Sequence, residues 1–419
     1  MTFKFLHAAD IHLDSPLRGL SAYEGAPAER LRTATREAFV KIIDLAIDEE
    51  VAFLVVAGDL YDGAWKDYNT PLFFSKQMGR LRDEGIPVFL IDGNHDAESV
   101  MTKGLQLPDN VRKFSSRKAE TFRLVDLQVA LHGRSFRERA EEENLVSTYP
   151  EPVPGWLNIG VLHTSLEGNS EHAAYAPCSP AELQAKGYQY WALGHVHEHR
   201  VVSEDPYIVY PGNPQGRHIR ETGPRGVVLV EVSDGEIRIE RHWTDVLRWH
   251  RLEVDVSGAE SFDGAVDMVR RRLETVRAEQ TDDSLAAVRV ELAGTTAAHG
   301  ALIAGEAHLR PDILSQASSL GGDSIWIEKV RVRTSPALDA EAQRMRSDAL
   351  ADLEEILAEA ASDEAFVDAL RKELTAATAR MKSEVRQAEE LAAVRDDRIA
   401  ALIAETAPAL LVRLEASEG

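Results

Sequence analysis

Five short apolar runs, each stopping abruptly at glycine, aspartate, asparagine or histidine, constrain this chain more than any other feature. Phe3 to Ala9 leads into Asp10-Ile11-His12-Leu13-Asp14, Ala52 to Ala57 stops at Gly58-Asp59, and Pro87 to Ile91 runs into Gly93-Asn94-His95-Asp96. Leu157 to Leu162 leads into His163, and Tyr190 to Leu193 into Gly194-His195-Val196-His197. Runs this short and this apolar read as buried strands. Between the first three lie two amphipathic helices. One spans Ala28 to Glu50, with Ala38, Ile42, Leu45 and Ala46 at helical spacing; the other spans Thr70 to Glu84 and is capped by Gly85. Strand, polar loop, helix, strand is the order of an α/β sheet with parallel strands, where ligands gather at the carboxyl ends. Asp10, His12, Asp59, Asn94, His95, His163, His195 and His197 are therefore expected at one edge. Residues two apart on an extended chain share a face, so Asp10 should point with His12, and His195 with His197.

Carboxylates, imidazoles and an amide oxygen in one place are the donor set of a metal centre, because neutral histidine is the commonest ligand near pH 7. A site for two ions needs one group that touches both. Asp59, short and at the end of a buried strand, is the candidate bridge. Asp10, His12 and His197 can hold one ion, and Asn94, His163 and His195 the other. Such mixed ligation suits Mn, Fe or Zn better than Mg, whose ligands are nearly all oxygen. Two ions roughly 3.5–4 Å apart orient a phosphodiester and activate a water for in-line attack. His95, beside a ligand but not needed as one, is placed to serve the leaving oxygen as a catalytic acid. Taken singly, Asp59 reads equally well as a turn residue, Gly93-Asn94 as a tight turn and His163 as a core histidine. Asp14 and Asp96 read as supporting or capping groups. Joint order and placement decide for the metal site.

Beyond these motifs, Val201-Val202, Tyr207 to Tyr210, Gly226 to Val232 and Glu236 to His242 alternate like antiparallel strands, the last two joined by a Ser233-Asp234-Gly235 turn. The pattern restarts after Asp245, with a strand (Val246 to Val256), a helix (Ser261 to about Ala278) and strands at Ala286 to Leu292 and Ser324 to Arg333. After Pro336 the composition turns to Ala, Glu, Leu and Arg, with Leu350, Leu353, Leu357, Leu370, Leu374, Met381 and Val385 at helical spacing. The expected organisation is residues 1–245 as the metal-bearing domain, 246–335 as a small α/β capping domain and 336–419 as a helical region. The helical region, with its Leu410-Leu411-Val412 tail, is a candidate partner-binding or dimer element. A single cysteine, Cys178, excludes an internal disulfide. The absence of a long apolar run argues against a membrane span. With the N-terminus leading straight into a strand, these features point to the cytoplasm. The net charge of −23 counts against a broad electrostatic footprint for nucleic acid, so any attraction for DNA must be local, from bound metal ions and a few arginines. Arg217, His218, Arg220 and Arg225 form the basic cluster closest in sequence to the motifs. They are the candidates for seating a nucleic-acid backbone.

Asp10-X-His12, Gly58-Asp59, Gly93-Asn94-His95-Asp96, His163 and Gly194-His195-X-His197 together resemble the five signatures of the calcineurin-like metallophosphoesterases, over roughly residues 1–245. Ala9 to Asp14 and Tyr210-Pro211-Gly212-Asn213-Pro214-Gln215-Gly216-Arg217-His218 carry a closer resemblance to SbcD-type DNA repair exonucleases, above all their YhaO-like branch. The resemblance implies a layered β-sandwich core flanked by helices, and two divalent metal ions, Mn before Fe, Zn or Mg. It implies Asp10, His12, Asp59 and His197 around one ion, Asp59, Asn94, His163 and His195 around the other, and His95 as the catalytic group that binds neither. The implied activity is Mn-dependent DNA nuclease or exonuclease chemistry in DNA repair. The implied partners are DNA, a second copy of the chain and an SMC-like coiled-coil ATPase. The alternatives are a phosphodiesterase or phosphomonoesterase on nucleotides or other small molecules, and a non-catalytic subunit that senses DNA ends. Protein phosphatases of the superfamily carry an Asp-Arg-Gly after Gly-Asp. Here Gly58-Asp59-Leu60-Tyr61-Asp62-Gly63 has no arginine, which weakens that reading.

Overall fold

The computed structural model describes residues 2–15, 28–62, 69–98, 107–166, 175–280, 284–321, 324–337, 355–357, 359–379, 381 and 391–407. Leu350, Leu353, Val385 and the tail at 409–412 lie outside the described residues. The chain divides into two compact units. The first comprises Met1–Arg251, Arg277–Arg289 and Gly321–Glu328; the second comprises Leu252–Val276, Val290–Leu320 and Lys329–Gly419.

The first unit is a mixed α/β sandwich of two six-stranded sheets. One carries β1 (Thr2–Ala8), β2 (Phe53–Ala57), β3 (Val88–Ile91), β4 (Val111–Lys113), β11 (Gly226–Ser233) and β12 (Glu236–Trp243) in the order β12-β11-β1-β2-β3-β4. The other carries β5 (Glu120–Leu124), β6 (Val129–Gly133), β7 (Leu157–His163), β8 (Tyr190–Gly194), β9 (Arg200–Glu204) and β10 (Tyr207–Tyr210) in the order β5-β6-β7-β8-β10-β9. Within the first sheet β1, β2, β3 and β4 run parallel, as β6, β7, β8 and β10 do in the second. Asp234 and Gly235 both take positive φ, as the two-residue hairpin closing β11 onto β12 demands.

Alternation along each strand builds two cores. On β2, Phe53, Val55 and Ala57 face the second sheet and pack with Phe5, Phe89, Ile159, Val161 and Tyr190. Leu54 and Val56 face the other way and pack with Phe39, Ile42 and Ile43 of α1 (Ala28–Asp48) and Phe74, Met78 and Leu81 of α2 (Asn69–Asp83). Both faces being covered, these strands read as unbroken apolar runs rather than alternating ones. Trp191 and Leu193 on the outer side of the second sheet pack with Leu183 of α4 (Pro180–Ala185), which completes the order helix, sheet, sheet, helix. The short α3 (Asn94–Glu98) follows β3 directly. The expectation of a single sheet edge is thus corrected. Three of the polar strand ends belong to one sheet and two to the other, and they meet because β2 packs across β7 and β8.

The second unit contains α5 (Phe262–Glu279), whose Ala265, Val266, Val269 and Leu273 are buried, followed by α6 (His299–Ala304) and α7 (Glu306–Gly321). Strands β13 (Leu247–Asp255), β14 (Leu285–Thr296) and β15 (Ile325–Pro336) form a three-stranded sheet in that order. Near the C-terminus Val367 on α8 (Glu364–Ala379) packs with Ile399 and Ile403.

Candidate dinuclear metal centre

The strands end before the polar residues do. β1 stops at Ala8, and the chain beyond it is held to the chain beyond β2 by three bonds. Asp10 N–H donates to Gly58 O at 3.0 Å, His12 N–H to Asp59 O at 3.0 Å and Leu13 N–H to Leu60 O at 2.8 Å. Asp10, His12, Asp59 and His195 adopt φ of 51°, 45°, 53° and 103°. Non-glycine residues at positive φ are strained, by about 1–3 kcal/mol each, and persist where surrounding structure over-determines them. Asp10 and His12 therefore meet through a curled, strained loop, and His195 follows Gly194 in the same kind of strained backbone. Strand alternation, the expected cause, does not operate there.

Asp59 lies at the centre. Its Oδ2 is 3.8 Å from His12 Nε2 and 3.5 Å from His163 Nε2, while its Oδ1 accepts the His95 N–H at 2.9 Å. His163 Nε2 is also 3.0 Å from Asn94 Oδ1. His12 Nε2 is 3.2 Å from His197 Nε2, which is 3.8 Å from Asp10 Oδ1. Asp10 accepts the His195 N–H at 2.9 and 3.1 Å, and the His195 ring stands 5.3 Å from the His163 ring. Among the described residues, three sets have ligand atoms within 4.8 Å of one another: Asp10, His12 and His197; His12, Asp59 and His95; Asp10, Asp59 and His163. The glycine before Asn94 is required by this closeness. A Cβ on Gly93 would lie 2.3 Å from Asp59 Oδ1 and 2.8 Å from His163 Cε1. On Gly194 it would lie 1.9 Å from Ala57 O.

The protonation pattern fits a pair of cations. His163 Nδ1 is 2.9 Å from Ala57 O, and His197 Nδ1 is 2.7 Å from Glu221 Oε1. A carbonyl and a carboxylate only accept, so both Nδ1 atoms carry the proton and both Nε2 lone pairs face Asp59 and Asp10. Burial lowers the pKa of both rings, which keeps them neutral and able to ligate. Burial, and then the Asp59 charge, push Asp10 well above the usual carboxylate range. Two buried carboxylates facing two unprotonated nitrogens are an arrangement that a divalent ion stabilises and its absence does not.

His95 is distinguished from the others by its partner. Its Nδ1 lies 3.1 Å from Asp62 Oδ1, and Ser15 Oγ donates to Asp62 Oδ2 at 2.8 Å. Burial acts to lower the His95 pKa, but the bond to Asp62 and the charges of Asp59 and Asp62 outweigh it, and the pKa is raised. Asp96 and Asp14 support the site from outside. Asp96 accepts N–H bonds from Leu60, Tyr61 and Gly93 at 3.0, 2.8 and 3.1 Å, and Asp14 receives the Arg36 guanidinium at 2.5 and 2.6 Å.

The basic cluster separates into two kinds. Arg217 reaches the site: its Nη2 is 3.5 Å from His197 Nδ1, and its Nε is buried without a hydrogen-bond partner among the described residues. His218 lies beside Glu221 at 3.6 Å and Arg220 is exposed. Arg225 turns inward. At 8% exposure it donates from Nη1 to His197 O at 2.6 Å and to Asn213 Oδ1 at 3.2 Å, and from Nη2 to Thr222 O at 2.9 Å. Three hydrogen bonds from it go to the protein's own loop, while its Nε finds no partner among the described residues. Sequence reasoning missed Glu221 and Asp62 as partners of His197 and His95. No local signal marks Glu221, whose partners Asn213 and His197 stand well before it in the chain.

The comparisons with known proteins agree with this centre. The description of the calcineurin-like phosphoesterases matches residues 3–199, and that of the middle domain of metallophosphoesterase YhaO matches residues 249–335. An uncharacterized metallophosphoesterase YhaO of Bacillus subtilis is 37% identical over 295 residues, covering 70% of this chain and 72% of that protein. The chain belongs to the calcineurin-like metallophosphoesterases. More distant relatives are two DNA double-strand break repair proteins Mre11. That of Methanopyrus kandleri is 27% identical over 292 residues, 61% of this chain and 60% of that protein. That of Aeropyrum pernix is 29% identical over 308 residues, 67% of this chain and 70% of that protein. Metallophosphoesterases use a dinuclear metal site, and the groups gathered around Asp59 are candidate ligands for it.

Proposed function

We propose that this metallophosphoesterase is a DNA nuclease of the DNA repair exonuclease type, hydrolysing phosphodiester bonds with two Mn ions. The observation that carries the reading is Asp59 Oδ2, a single oxygen approached by His12 Nε2 at 3.8 Å and His163 Nε2 at 3.5 Å. Asp10, His12, Asp59 and His197 would hold one ion, and Asp59, Asn94, His163 and His195 the other. Bound there, the pair would supply Lewis acidity toward the phosphoryl oxygens and acidify an attacking water. Arg217, with an unused Nε–H beside the centre, grips a non-bridging phosphate oxygen. His95, held by Asp62 and with its pKa raised by that bond and the nearby carboxylate charges, is the group placed to deliver a proton to the leaving oxygen. DNA is favoured over other phosphodiesters by the two Mre11 relatives, whose names place them in break repair.

The net charge of −23 favours a second reading, a phosphodiesterase for nucleotides or other small esters, because so acidic a chain repels a polyanion at long range. Labelled single- and double-stranded oligonucleotides and a plasmid, each with Mn, beside bis-p-nitrophenyl phosphate, separate the two. Turnover of the small diester with every DNA intact rejects the nuclease. His95→Gln should abolish cleavage while Mn stays bound; retained activity removes the role given to His95. As part of the same proposal the chain dimerises, works with an SMC-like ATPase and resides in the cytoplasm. Among the described residues no helix is long and apolar enough to cross a membrane. Co-purification with such an ATPase from the source cell, lost on deleting residues 336–419, tests the partner.

A further inference from the structure

His197 is held from two sides by residues outside the candidate ligand groups. Its carbonyl accepts from Arg225 Nη1 at 2.6 Å, and its Nδ1 donates to Glu221 Oε1 at 2.7 Å. Glu221 is 6% exposed, and its second oxygen is also fully engaged. Oε2 accepts the Arg217 backbone N–H at 2.6 Å and Asn213 Nδ2 at 2.9 Å. The Glu221 N–H donates to His218 O at 2.9 Å, closing the turn that carries Arg217. His218 Nε2 at 3.6 Å and Arg217 Nη2 at 3.9 Å complete the shell around Oε1.

We propose that Glu221 is a positioning residue that sets the metal centre and the phosphate grip together. One oxygen fixes the tautomer and aim of the His197 ring, and the other fixes the backbone from which Arg217 reaches the site. The carboxylate is suited to both tasks because it only accepts. Facing Nδ1 it leaves the proton there and the lone pair on Nε2, which points toward His12 Nε2 and Asp10. With two accepting oxygens it takes the His197 Nδ1–H at one end and the Arg217 and Asn213 donors at the other, whereas an amide accepts at one end only. Breaking either arm disturbs a different function, which makes the two arms separable. The inference rests on the family's metal site and not on DNA as substrate, so its failure is distinct from failure of the nuclease reading.

The test uses the full chain, stripped of metal, titrated with Mn by calorimetry, and assayed on bis-p-nitrophenyl phosphate. Glu221→Gln should weaken Mn binding at one of two sites by about 10- to 100-fold, the range for losing an outer partner of a ligating histidine, and raise KM as the Arg217 segment loosens. Asn213→Ala removes the neighbouring brace and leaves the His197–Glu221 bond intact. It should lower the urea midpoint yet keep Mn affinity within about threefold of wild type. Glu221→Asp keeps the charge but withdraws it by one methylene, and should fall between wild type and Gln; it serves in place of Gln if that variant does not fold. Two Mn ions bound by Glu221→Gln with wild-type affinity would overturn the proposal. So would Asn213→Ala weakening Mn as much as Glu221→Gln does, since the effect would then be loop stability and not the carboxylate–imidazole bond.

Discussion

His7 gives the sharpest test of how this core is assembled. It is fully buried on β1 between the sheets, with Nε2 donating to Leu193 O at 3.1 Å and Nδ1 accepting from the Tyr190 hydroxyl at 3.0 Å. That bonding has room for one ring proton only. Burial lowers its pKa from 6.5 to about 3, against the smaller raising effect of the Leu193 carbonyl. Because the folded pKa lies below the unfolded one, the unfolded chain takes up the proton first. The stabilisation is complete above pH 6.5 and is lost as pH falls toward 3. At pH 5 the unfolded state gains about 2 kcal/mol from this one group, at about 1.4 kcal/mol per pH unit below 6.5. The figure depends only on the folded pKa lying well below 5. His7→Leu cannot take up the proton, though it leaves the Tyr190 hydroxyl and Leu193 carbonyl unpaired and is less stable at pH 8. Urea unfolding of both proteins at pH 8 and pH 5, followed by fluorescence (Trp191 lies next to Tyr190 in the same strand), reads the difference. The deficit of His7→Leu should shrink by about 2 kcal/mol between the two pH values. An unchanged deficit would refute the claim that His7 is held neutral.

Substitutions at four further sites have outcomes set by the geometry. Gly93→Ala places a methyl 2.3 Å from Asp59 Oδ1, so calorimetry should show Mn affinity falling by at least about tenfold while the circular dichroism spectrum is retained. Asp96→Ala leaves three buried N–H groups without their acceptor and should cost several kcal/mol in urea unfolding, at about 1–3 kcal/mol per donor; Asp96→Asn should cost only about the value of one. Arg217→Glu should weaken DNA binding and flatten its salt dependence with little loss of stability, measured by fluorescence anisotropy across a salt series. Arg225→Ala should instead lower the urea midpoint, since its guanidinium braces the His197 loop.

The strands and helices of the metal-bearing half were legible because their pattern is strong. β1, α1, β2, α2 and β3 fall within a residue or two of the expected ranges, since two-sided burial writes β2 as an unbroken apolar run and one-sided burial writes α1 as a stripe. Less was legible where the signal is thin. β4 has three residues, and β5, a partly exposed edge strand, carries no clean alternation. Arg225 sits in a basic stretch that looks like surface, and nothing local announces that its guanidinium turns inward to His197 O. Glu221 was hidden for the same reason, its partners being eight and twenty-four residues earlier in the chain.

By itself the sequence determined which residue types stand at the five strand ends, and hence that carboxylate, imidazole and amide oxygen are available together. Only the tertiary structure decided that these ends belong to two sheets, that strained backbone at Asp10, His12, Asp59 and His195 aims them, and that Glu221, Asp62 and Arg225 hold the aim. The physical reason is range. Burial of a whole face repeats along an element and leaves a periodic trace in the sequence, whereas a single hydrogen bond between distant loops leaves none.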